Sequence, residues 1–304
     1  MLADRLKKGD TIGIIAPSDP VTEENMEEFN ASKKALEDLG FNIKIGKYVY
    51  ANTLGYGSTP KEKAEDFNNM FLDREVKFVY CAKGGYDCNS LFDYIDYQAV
   101  KNNPKIICGY SDTTMLLNNI YNKTGLVTFH GQTFKSLATQ ETEYSFDEIK
   151  KRLIENNKEI GQKEDIYTCI KPGVEEGILI GGNLYCLSRL VSGKYKMDFD
   201  NKILFLEDLG FESCPAFVNS YLYIMKQEGV FDKIKGIWLG NYEHESGISI
   251  EKIVLDVIGD EYNFPIIKSD NFGHTDKKTV VPIGLEVRLD ANNCEIELLE
   301  DFLK

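Results

Sequence analysis

Residues 103–125 have the sequence NPKIICGYSDTTMLLNNIYNKTG, which changes from a strand pattern to a helix pattern within a few residues. The apolar run at 105–108 is typical of a buried strand, and the apolar residues from Met115 onward recur at helical spacing. This stretch therefore predicts a sharp strand-to-helix turn, and Ser111 lies in that turn.

Two interpretations of Ser111 follow from this stretch alone. Serine is a favoured N-cap, and an aspartate such as Asp112 suits the first turn of a helix. Alternatively, the turn holds the hydroxyl outward as a nucleophile, while the backbone N–H groups of the new helix point at the group that it attacks. The G-x-S-x-G motif is incomplete, because Thr113 stands where the second glycine would be. The local sequence leaves both interpretations open.

The first half of the chain repeats this alternation of strand and helix patterns. Strands are predicted at 11–18, 41–50, 76–85, 105–111 and 126–132, with helices between them, including one at 60–72 and a short one through Leu91. Repeated βα units indicate a parallel sheet with helices on both faces. Ligands of such sheets bind outside the carboxyl ends of the strands, where Ser111, the Gly84-Gly85 pair and His130 would lie.

The second half predicts a further α/β domain. The pattern weakens between 134 and 174 into a charged stretch with one predicted helix at 146–154. Strands are then predicted at 177–181, 202–207, 234–240 and 264–268, helices at about 183–192, 215–229 and 249–258, and a closing hairpin at 282–300. We therefore divide the chain into an N-terminal α/β domain (1–135), a connecting segment (136–174) and a C-terminal α/β domain (175–304).

Composition restricts the class of partner. The 304 residues carry a formal net charge of -14 with a pI near 4.8, so the average surface repels phosphate backbones and anionic lipid. We therefore expect a small-molecule partner rather than nucleic acid or a membrane. The seven cysteines form no C-x-x-C pair, which predicts reduced thiols. The N-terminal apolar run is too short for a signal sequence, which predicts a cytoplasmic protein.

Catalysis by a serine hydroxyl requires a base and a carboxylate. The chain has three histidines, at positions 130, 244 and 274. Each of them could equally be structural. The apolar strand at 203–206 ends on Glu207 and Asp208, acids that a buried strand avoids unless they have a partner; a strand leaving the core is the alternative. Acidic residues flank His244 and His274, but neither group has a convincing ligand spacing, so we expect no metal.

Longer motifs carry a family resemblance. They are GDTIGIIAPSDPV (9–21), STPKEKAEDFNNMF (58–71), CAKGGYDCNSLFDYID (81–96), NPKIICGYSDTTMLL (103–117), GLVTFHGQ (125–132), GGNLYCLSRLVSG (181–193), ILFLEDLGFE (203–212), GIWLGN (236–241) and GHTDKKTVVPIGLEVRLD (273–290). In order and spacing, this set resembles the LD-carboxypeptidase family, serine peptidases of family S66, which also includes the microcin C7 self-immunity hydrolases. The resemblance covers essentially the whole chain.

The resemblance implies a Ser-Glu-His triad shared between two domains. Ser111 of the GYSD motif would be the nucleophile, Glu207 would orient the imidazole, and His274 of the GH motif would be the general base. The backbone N–H of Asp112 and the Gly84-Gly85 loop would stabilise the oxyanion. The resemblance also implies an N-terminal flavodoxin-like parallel-sheet domain, a smaller C-terminal α/β domain of swivelling, barrel-like form, no cofactor, and a homodimer.

Two departures from the family pattern concern the substrate. The usual R-G-G is Lys83-Gly84-Gly85 here, and the arginine-containing run that commonly follows the catalytic glutamate is replaced by SCPAFVNSYLYIMK. Lysine offers a point charge, whereas arginine binds a carboxylate bidentately. Lys83 is the candidate substrate contact because it stands at the position of the arginine in the family motif. The only tryptophan, Trp238, lies in an apolar strand, which predicts a core residue rather than a base-stacking one.

Three functions are consistent with these observations. The leading one is a serine carboxypeptidase that cleaves an L,D amide bond and releases terminal D-Ala from a muropeptide tetrapeptide in cell-wall recycling. The second is a microcin C7-like hydrolase of aminoacyl or peptidyl adenylates that confers resistance. The third is a catalytically silent protein that binds a small molecule in a two-domain cleft.

Overall fold

The computed structural model describes residues 1–138, 142–209 and 214–304. The strands are β1 (Thr11–Ile15), β2 (Asn42–Ile45), β3 (Val76–Cys81), β4 (Ile106–Gly109), β5 (Thr128–His130), β6 (Thr168–Lys171), β7 (Val174–Asn183), β8 (Lys202–Glu207), β9 (Gly236–Leu239), β10 (Ile266–Lys268), β11 (Val281–Ile283), β12 (Leu285–Asp290) and β13 (Glu295–Leu298). The α-helices are α1 (Met26–Asp38), α2 (Pro60–Leu72), α3 (Tyr97–Asn102), α4 (Thr114–Thr124), α5 (Thr142–Ile149), α6 (Leu184–Ser188), α7 (Pro215–Gln227) and α8 (Ile250–Ile258). Together the strands form two sheets.

The first sheet has six strands in the order β11-β5-β4-β3-β1-β2. Strands β1 to β5 pair in parallel, and β11 is antiparallel to β5. The order of the parallel strands, β2-β1-β3-β4-β5, is that of flavodoxin-like sheets, so the predicted fold of the first half is confirmed. Helix α2 keeps its predicted bounds because Pro60 starts it and a capping box between Thr59 and Glu62 fixes its first turn.

The second sheet has seven strands in the order β13-β12-β7-β8-β9-β10-β6. Its four central strands, β7 to β10, are parallel, while β6, β12 and β13 pair antiparallel at the two sides. Strand β8 has the bounds that the sequence predicts, and every residue of it is buried. It therefore delivers Glu207 at its carboxyl end, inside the protein rather than into solvent.

Two strand assignments from the sequence are wrong. The stretch at 136–174 was expected to connect the sheets with a single helix, yet it contains β6, which pairs with β10. Strand β6 has exposed and half-buried residues only, so it lacks the apolar signal of a core strand. The predicted closing hairpin begins at Leu285 rather than Pro282, because Gly284, with φ of +92°, separates β11 in the first sheet from β12 in the second.

Smaller differences concern the lengths of helices. The helix predicted at 146–154 is α5 continued by one stretch of π-helix, Lys150–Ile154. The helix predicted at 183–192 ends at Ser188, and the short helix through Leu91 is a 3-10 helix, Cys88–Tyr94. None of these changes moves a residue of the candidate site to another element.

All seven cysteines lie in the described part of the chain and are unpaired, as the sequence predicts. Four of them are buried, namely Cys81, Cys88, Cys108 and Cys186. Within residues 1–138, 142–209 and 214–304, no helix combines the length and the apolar character needed to cross a bilayer.

Candidate active site

Ser111 lies two residues after the end of β4, at the carboxyl edge of the first sheet, and its backbone is unusual. Its φ is +61°, in the left-handed region that few residues other than glycine adopt. A 3-10 turn, Ser111–Thr113, then leads into α4. The hydroxyl does not close this turn by capping it, because it lies 3.1 Å from Nε2 of His274. Such strain is a feature of functional sites, where the surrounding structure holds the residue in place.

His274 and Glu207 continue the hydrogen-bonded chain from Ser111. Nδ1 of His274 lies 2.7 Å from Oε2 of Glu207, and the backbone N–H of His274 donates to the same oxygen at 3.0 Å. Glu207 is fully buried at the end of β8. Gly273 allows the close approach, because a Cβ there would lie 2.5 Å from Cγ of Glu207. A serine hydroxyl, an imidazole and a buried carboxylate in this order can transfer a proton away from the hydroxyl.

Burial is the largest single influence on the pKa of both Glu207 and His274, yet their charged and hydrogen-bonded neighbours together outweigh it. Burial raises the pKa of Glu207, but the facing imidazole and its hydrogen bonds bring it below the ordinary value. Burial lowers the pKa of His274, but the charge and hydrogen bond of Glu207 bring it above the ordinary value of 6.5. The pair therefore favours a carboxylate that holds and stabilises an imidazolium.

The other two histidines have no such partner. His130 is buried at the end of β5, and neither ring nitrogen has a hydrogen-bond partner among the described residues. Burial lowers its pKa to about 4, so it is neutral at physiological pH. His244 lies in a loop, where its Nδ1 is 2.9 Å from Oγ of Ser246. Of the three histidines, only His274 reaches Ser111.

The glycine pair at 84–85 borders Ser111, as expected for residues after β3. A Cβ at Gly84 would lie 3.0 Å from Cβ and 3.1 Å from Oγ of Ser111, so only glycine brings this backbone so close. The same Cβ would lie 3.8 Å from the backbone nitrogen of Asp112. Gly85, with φ of +154°, packs against Asp19, and Nζ of Lys83 lies 3.5 Å from a carboxylate oxygen of that residue.

A buried polar network that no sequence pattern indicates lies beneath this turn. The Asp112 side chain is 1% exposed and accepts hydrogen bonds from the Ser18 hydroxyl and, at 2.8 Å, from the backbone N–H of Cys88. Burial raises the pKa of Asp112, while these donors act in the opposite direction. The network joins the loop after β1 to the turn that holds Ser111. No periodic pattern could reveal it, because its members lie far apart in the chain.

A second missed residue, Asn183, joins the two sheets. Its side chain caps α6 by accepting from Cys186 N at 3.1 Å and donates to Oδ1 of Asp208 at 3.2 Å. Its backbone N–H donates to Oγ1 of Thr114, at the start of α4, at 3.0 Å. The GGN motif is therefore a docking turn between the two halves of the site. The opening of a helix by GGN was the available signal, and it did not show which residues would meet there.

Tyr110 forms one wall of the site on the side of His274. The two rings have centroids 5.1 Å apart, and Nζ of Lys278 lies 5.2 Å from the centroid of the Tyr110 ring. Tyr110 and Lys278 line a cleft of about 640 Å³ together with Gln132. The other residues of the cleft are Glu27, Glu28, Ala31, Ser136, Ala138 and Asp276. The cleft therefore adjoins the hydrogen-bonded chain on the imidazole side.

No group of three or more His, Cys, Asp or Glu side chains is arranged to hold a metal ion within the described ranges. Both ring nitrogens of His274 are engaged, one with Glu207 and one with Ser111. Asp270, one of the acidic residues near His274 in the sequence, pairs with Lys268.

Comparison with known proteins agrees with the two-sheet division. The family described as LD-carboxypeptidase N-terminal domain matches residues 12–131, and the family described as LD-carboxypeptidase C-terminal domain matches residues 176–289. The "Probable murein peptide carboxypeptidase" of Bacillus subtilis (strain 168) is 31% identical over 295 residues, covering 94% of this chain and 90% of the relative.

A relative of different name is equally similar. The "Microcin C7 self-immunity protein MccF" of Escherichia coli is 30% identical over 335 residues, covering 100% of this chain and 97% of the relative. The solved structure of MccF in complex with glutamyl sulfamoyl guanosine superimposes with a TM-score of 0.91 at 29% identity, covering 100% of this chain and 99% of that one. One of these two names refers to murein peptides and the other to microcin immunity.

Proposed function

This chain belongs to the LD-carboxypeptidase family, and we propose that it is a serine hydrolase that removes a terminal D-residue from a muropeptide. The observation that supports this most directly is the continuous hydrogen-bonded chain from Ser111 through His274 to Glu207. Ser111 is the nucleophile, His274 the general base and Glu207 the carboxylate that orients it. The positive φ of Ser111 and the family membership support the same assignment.

The reaction proceeds in two halves. Ser111 Oγ attacks the scissile carbonyl carbon while Nε2 of His274 takes the hydroxyl proton, so that a C–O bond forms as the O–H bond breaks. The imidazolium then gives this proton to the leaving amine, the C–N bond breaks, and the D-residue departs from an acyl-enzyme. Water then attacks the ester carbonyl while His274 takes its proton. The bond between the acyl carbon and Ser111 Oγ breaks, His274 returns the proton to Oγ, and the shortened peptide leaves with a new carboxylate.

The oxyanion of each tetrahedral intermediate needs donors that are already in position. We assign this role to the backbone N–H of Asp112 and to the Gly84-Gly85 loop. The close approach of Gly84 to Ser111 supports the assignment, because the side chain of any other residue would fill the space beside the oxyanion. Glu207 stabilises the imidazolium that exists during both half-reactions, in keeping with the raised pKa of His274.

A second function has a specific observation in its favour. Trp238 is fully buried, so it cannot stack on a ligand. The rings of Tyr185 and Tyr221, however, have centroids 5.4 Å apart, and exposed Phe217 lies 6.5 Å from Tyr221. This group of one exposed and two half-buried rings, on α6 and α7, would suit a nucleobase. With the similarity to MccF, they support hydrolysis of an aminoacyl or peptidyl adenylate as the alternative.

The test is a side-by-side measurement of kcat/KM on a muropeptide tetrapeptide and on adenylate analogues, with products identified by mass spectrometry. Release of D-Ala, lost in Ser111→Ala, is the expected result. An adenylate analogue preferred by a hundredfold, with no D-Ala released, would replace the first function by the second. Labelling of Ser111 by a fluorophosphonate in native protein, and its absence in denatured protein, separates both from a catalytically silent binding protein.

A further inference from the structure

Lys278 is a buried lysine whose ammonium lies over the ring of Tyr110, the residue before the proposed nucleophile, and among the described residues it has no counter-ion. The residue is 9% exposed, and no carboxylate of the described residues lies within 4.0 Å of its Nζ. The ammonium donates a hydrogen bond to the carbonyl oxygen of Thr275 and lies over the ring of Tyr110. Asp276 and Glu207 act on it only from a distance. A buried charge without a partner is costly, so its retention points to an anionic ligand.

The position of Lys278 matches one side of the proposed reaction. The imidazole of His274 must reach both the Ser111 hydroxyl and the leaving nitrogen, so the released residue lies on the imidazole side. Lys278 follows His274 by four residues in the same loop, and the Tyr110 ring contacts both side chains. Because successive Cα atoms are about 3.8 Å apart, a terminal carboxylate lies only a few ångströms beyond the scissile amide.

Lys83 is the competing cation, and its surroundings differ. It lies in the glycine loop on the oxyanion side of Ser111, and Asp19 already pairs with it at 3.5 Å. Both side chains of that pair are about a third exposed, so water competes for the ammonium. A substrate carboxylate would gain less from Lys83 than from the buried ammonium of Lys278, which has no ion-pair partner in the described part of the chain.

Resting on the proposed function, we propose that Lys278 binds the carboxylate of the terminal residue that the enzyme releases. The cleft that Lys278 lines with Tyr110 and Gln132 is then the subsite for that residue. Oε1 of Gln132 is buried without a hydrogen-bond partner among the described residues, so the subsite also offers an acceptor. The ligand class is a D-amino-acid residue with a free α-carboxylate.

The acidic side chains that line the cleft should repel a substrate carboxylate only weakly. Glu28 is neutralised by Lys135 at 2.8 Å, and Glu27 and Asp276 are exposed to solvent. Water and salt screen exposed charges, whereas the buried ammonium of Lys278 acts in a medium of lower dielectric. A carboxylate at the Lys278 end of the cleft therefore interacts more strongly with this ammonium than with the exposed acids.

The test compares a tetrapeptide ending in a free carboxylate with its C-terminal amide, using kcat/KM for release of the terminal residue. In the wild type, amidation should reduce kcat/KM by about tenfold to a hundredfold, because a hydrogen-bonded charge loses its partner. Lys278→Met should process both peptides equally slowly, so the ratio falls to about one. Lys277→Met, an exposed neighbour in the same loop, is the matched control and should keep the wild-type ratio.

The outcomes separate this inference from the proposed function. If Lys278→Met keeps the wild-type ratio, or if only Lys83→Met abolishes it, the inference fails while the peptidase assignment stands. Calorimetric binding of the two peptides to Ser111→Ala, with and without Lys278→Met, needs no turnover. A preference for the free acid that depends on Lys278 supports the inference even if the wild type hydrolyses neither peptide. Equal binding of acid and amide, or no binding, overturns it.

A change of fold is checked by thermal unfolding of Lys278→Met. Replacing an unpaired buried cation by an apolar side chain of similar length should leave Tm unchanged or higher. A lowered Tm together with an unchanged acid-to-amide ratio would mean that Lys278 has a structural role, which also overturns the inference.

Discussion

His130 and His274 are both largely buried, one at the end of β5 in the first sheet and one in the loop that follows β10 in the second. Their pKa values nevertheless move in opposite directions, to about 4 for His130 and above the ordinary value for His274. His274 contacts Glu207 through Nδ1 at 2.7 Å, whereas the ring of His130 packs edge-on against Phe205 at 5.3 Å. The contact with a carboxylate, rather than the degree of burial, therefore decides whether the pKa of a buried histidine rises and whether the ring can serve as a base.

The two sheets contribute to the site in correspondingly different ways. The first sheet supplies a strained turn, with Ser111 at a positive φ and Gly84 against it. The second supplies the charged pair, with Glu207 on a strand and His274 on a loop that glycine brings close to it. Strand β11 returns the chain from that loop to the first sheet, which fixes the distance between the two contributions.

The largest effect is expected from removing the hydroxyl on the first sheet. Ser111→Ala should reduce kcat by on the order of 10⁴ or more, because no other group in the proposed scheme can form the acyl-enzyme. Unfolding by denaturant should be nearly unchanged, since no large cavity results. Retention of a tenth of the wild-type rate in purified variant would exclude Ser111 as the nucleophile.

The second prediction tests the comparison of histidines directly. His274→Ala should impair turnover about as severely as Ser111→Ala, because members of a proton-transfer unit act together. His244→Ala, which alters a loop histidine bonded to Ser246, should change kcat/KM little. If His244 proves indispensable and His274 does not, the assignment of the base is wrong.

The third prediction removes the charge that distinguishes His274. Glu207→Gln should lower kcat by roughly a thousandfold or more, since the imidazole loses its orientation and its counter-charge. In the wild type, kcat/KM should rise with pH as His274 loses its proton, with a pKa above 6.5. Without the carboxylate, burial and Lys278 lower the pKa of His274 while Asp208 still raises it. Because burial is the largest of these influences, the acidic limb of the residual activity should move to lower pH. A limb that stays in place would show that another group controls it.

The sequence predicts the parts of this arrangement that depend on short-range patterns. The bounds of β8 follow from an unbroken apolar run, and Glu207 stands out because a buried strand ends on it. The role of His274 could not be separated from that of His130 by spacing, because the contact with Glu207 joins positions 67 residues apart. The sequence does not single out Lys278 either, because a lysine pair in a polar loop is typical of a solvated surface. Strand β6 was missed because its side chains are exposed.

The smallest effect on activity is expected at His130. His130→Met should keep kcat/KM within about tenfold of the wild type, because the ring has no hydrogen bond among the described residues and no place in the proposed proton transfer.

The change at His130 should appear in the free energy of unfolding instead. The pKa of His130 is about 4 in the folded protein against an ordinary value of 6.5, so between these values the unfolded chain binds the extra proton. Lowering the pH through this window should therefore cost the wild type on the order of 3 kcal/mol that His130→Met does not lose, with no further difference below pH 4. Urea unfolding of both proteins from pH 7 to pH 4, with His244→Met as the control for losing a histidine elsewhere, measures this difference. Parallel stability curves for the wild type and His130→Met would show that His130 does have a partner in the folded protein, and the contrast with His274 would then fail.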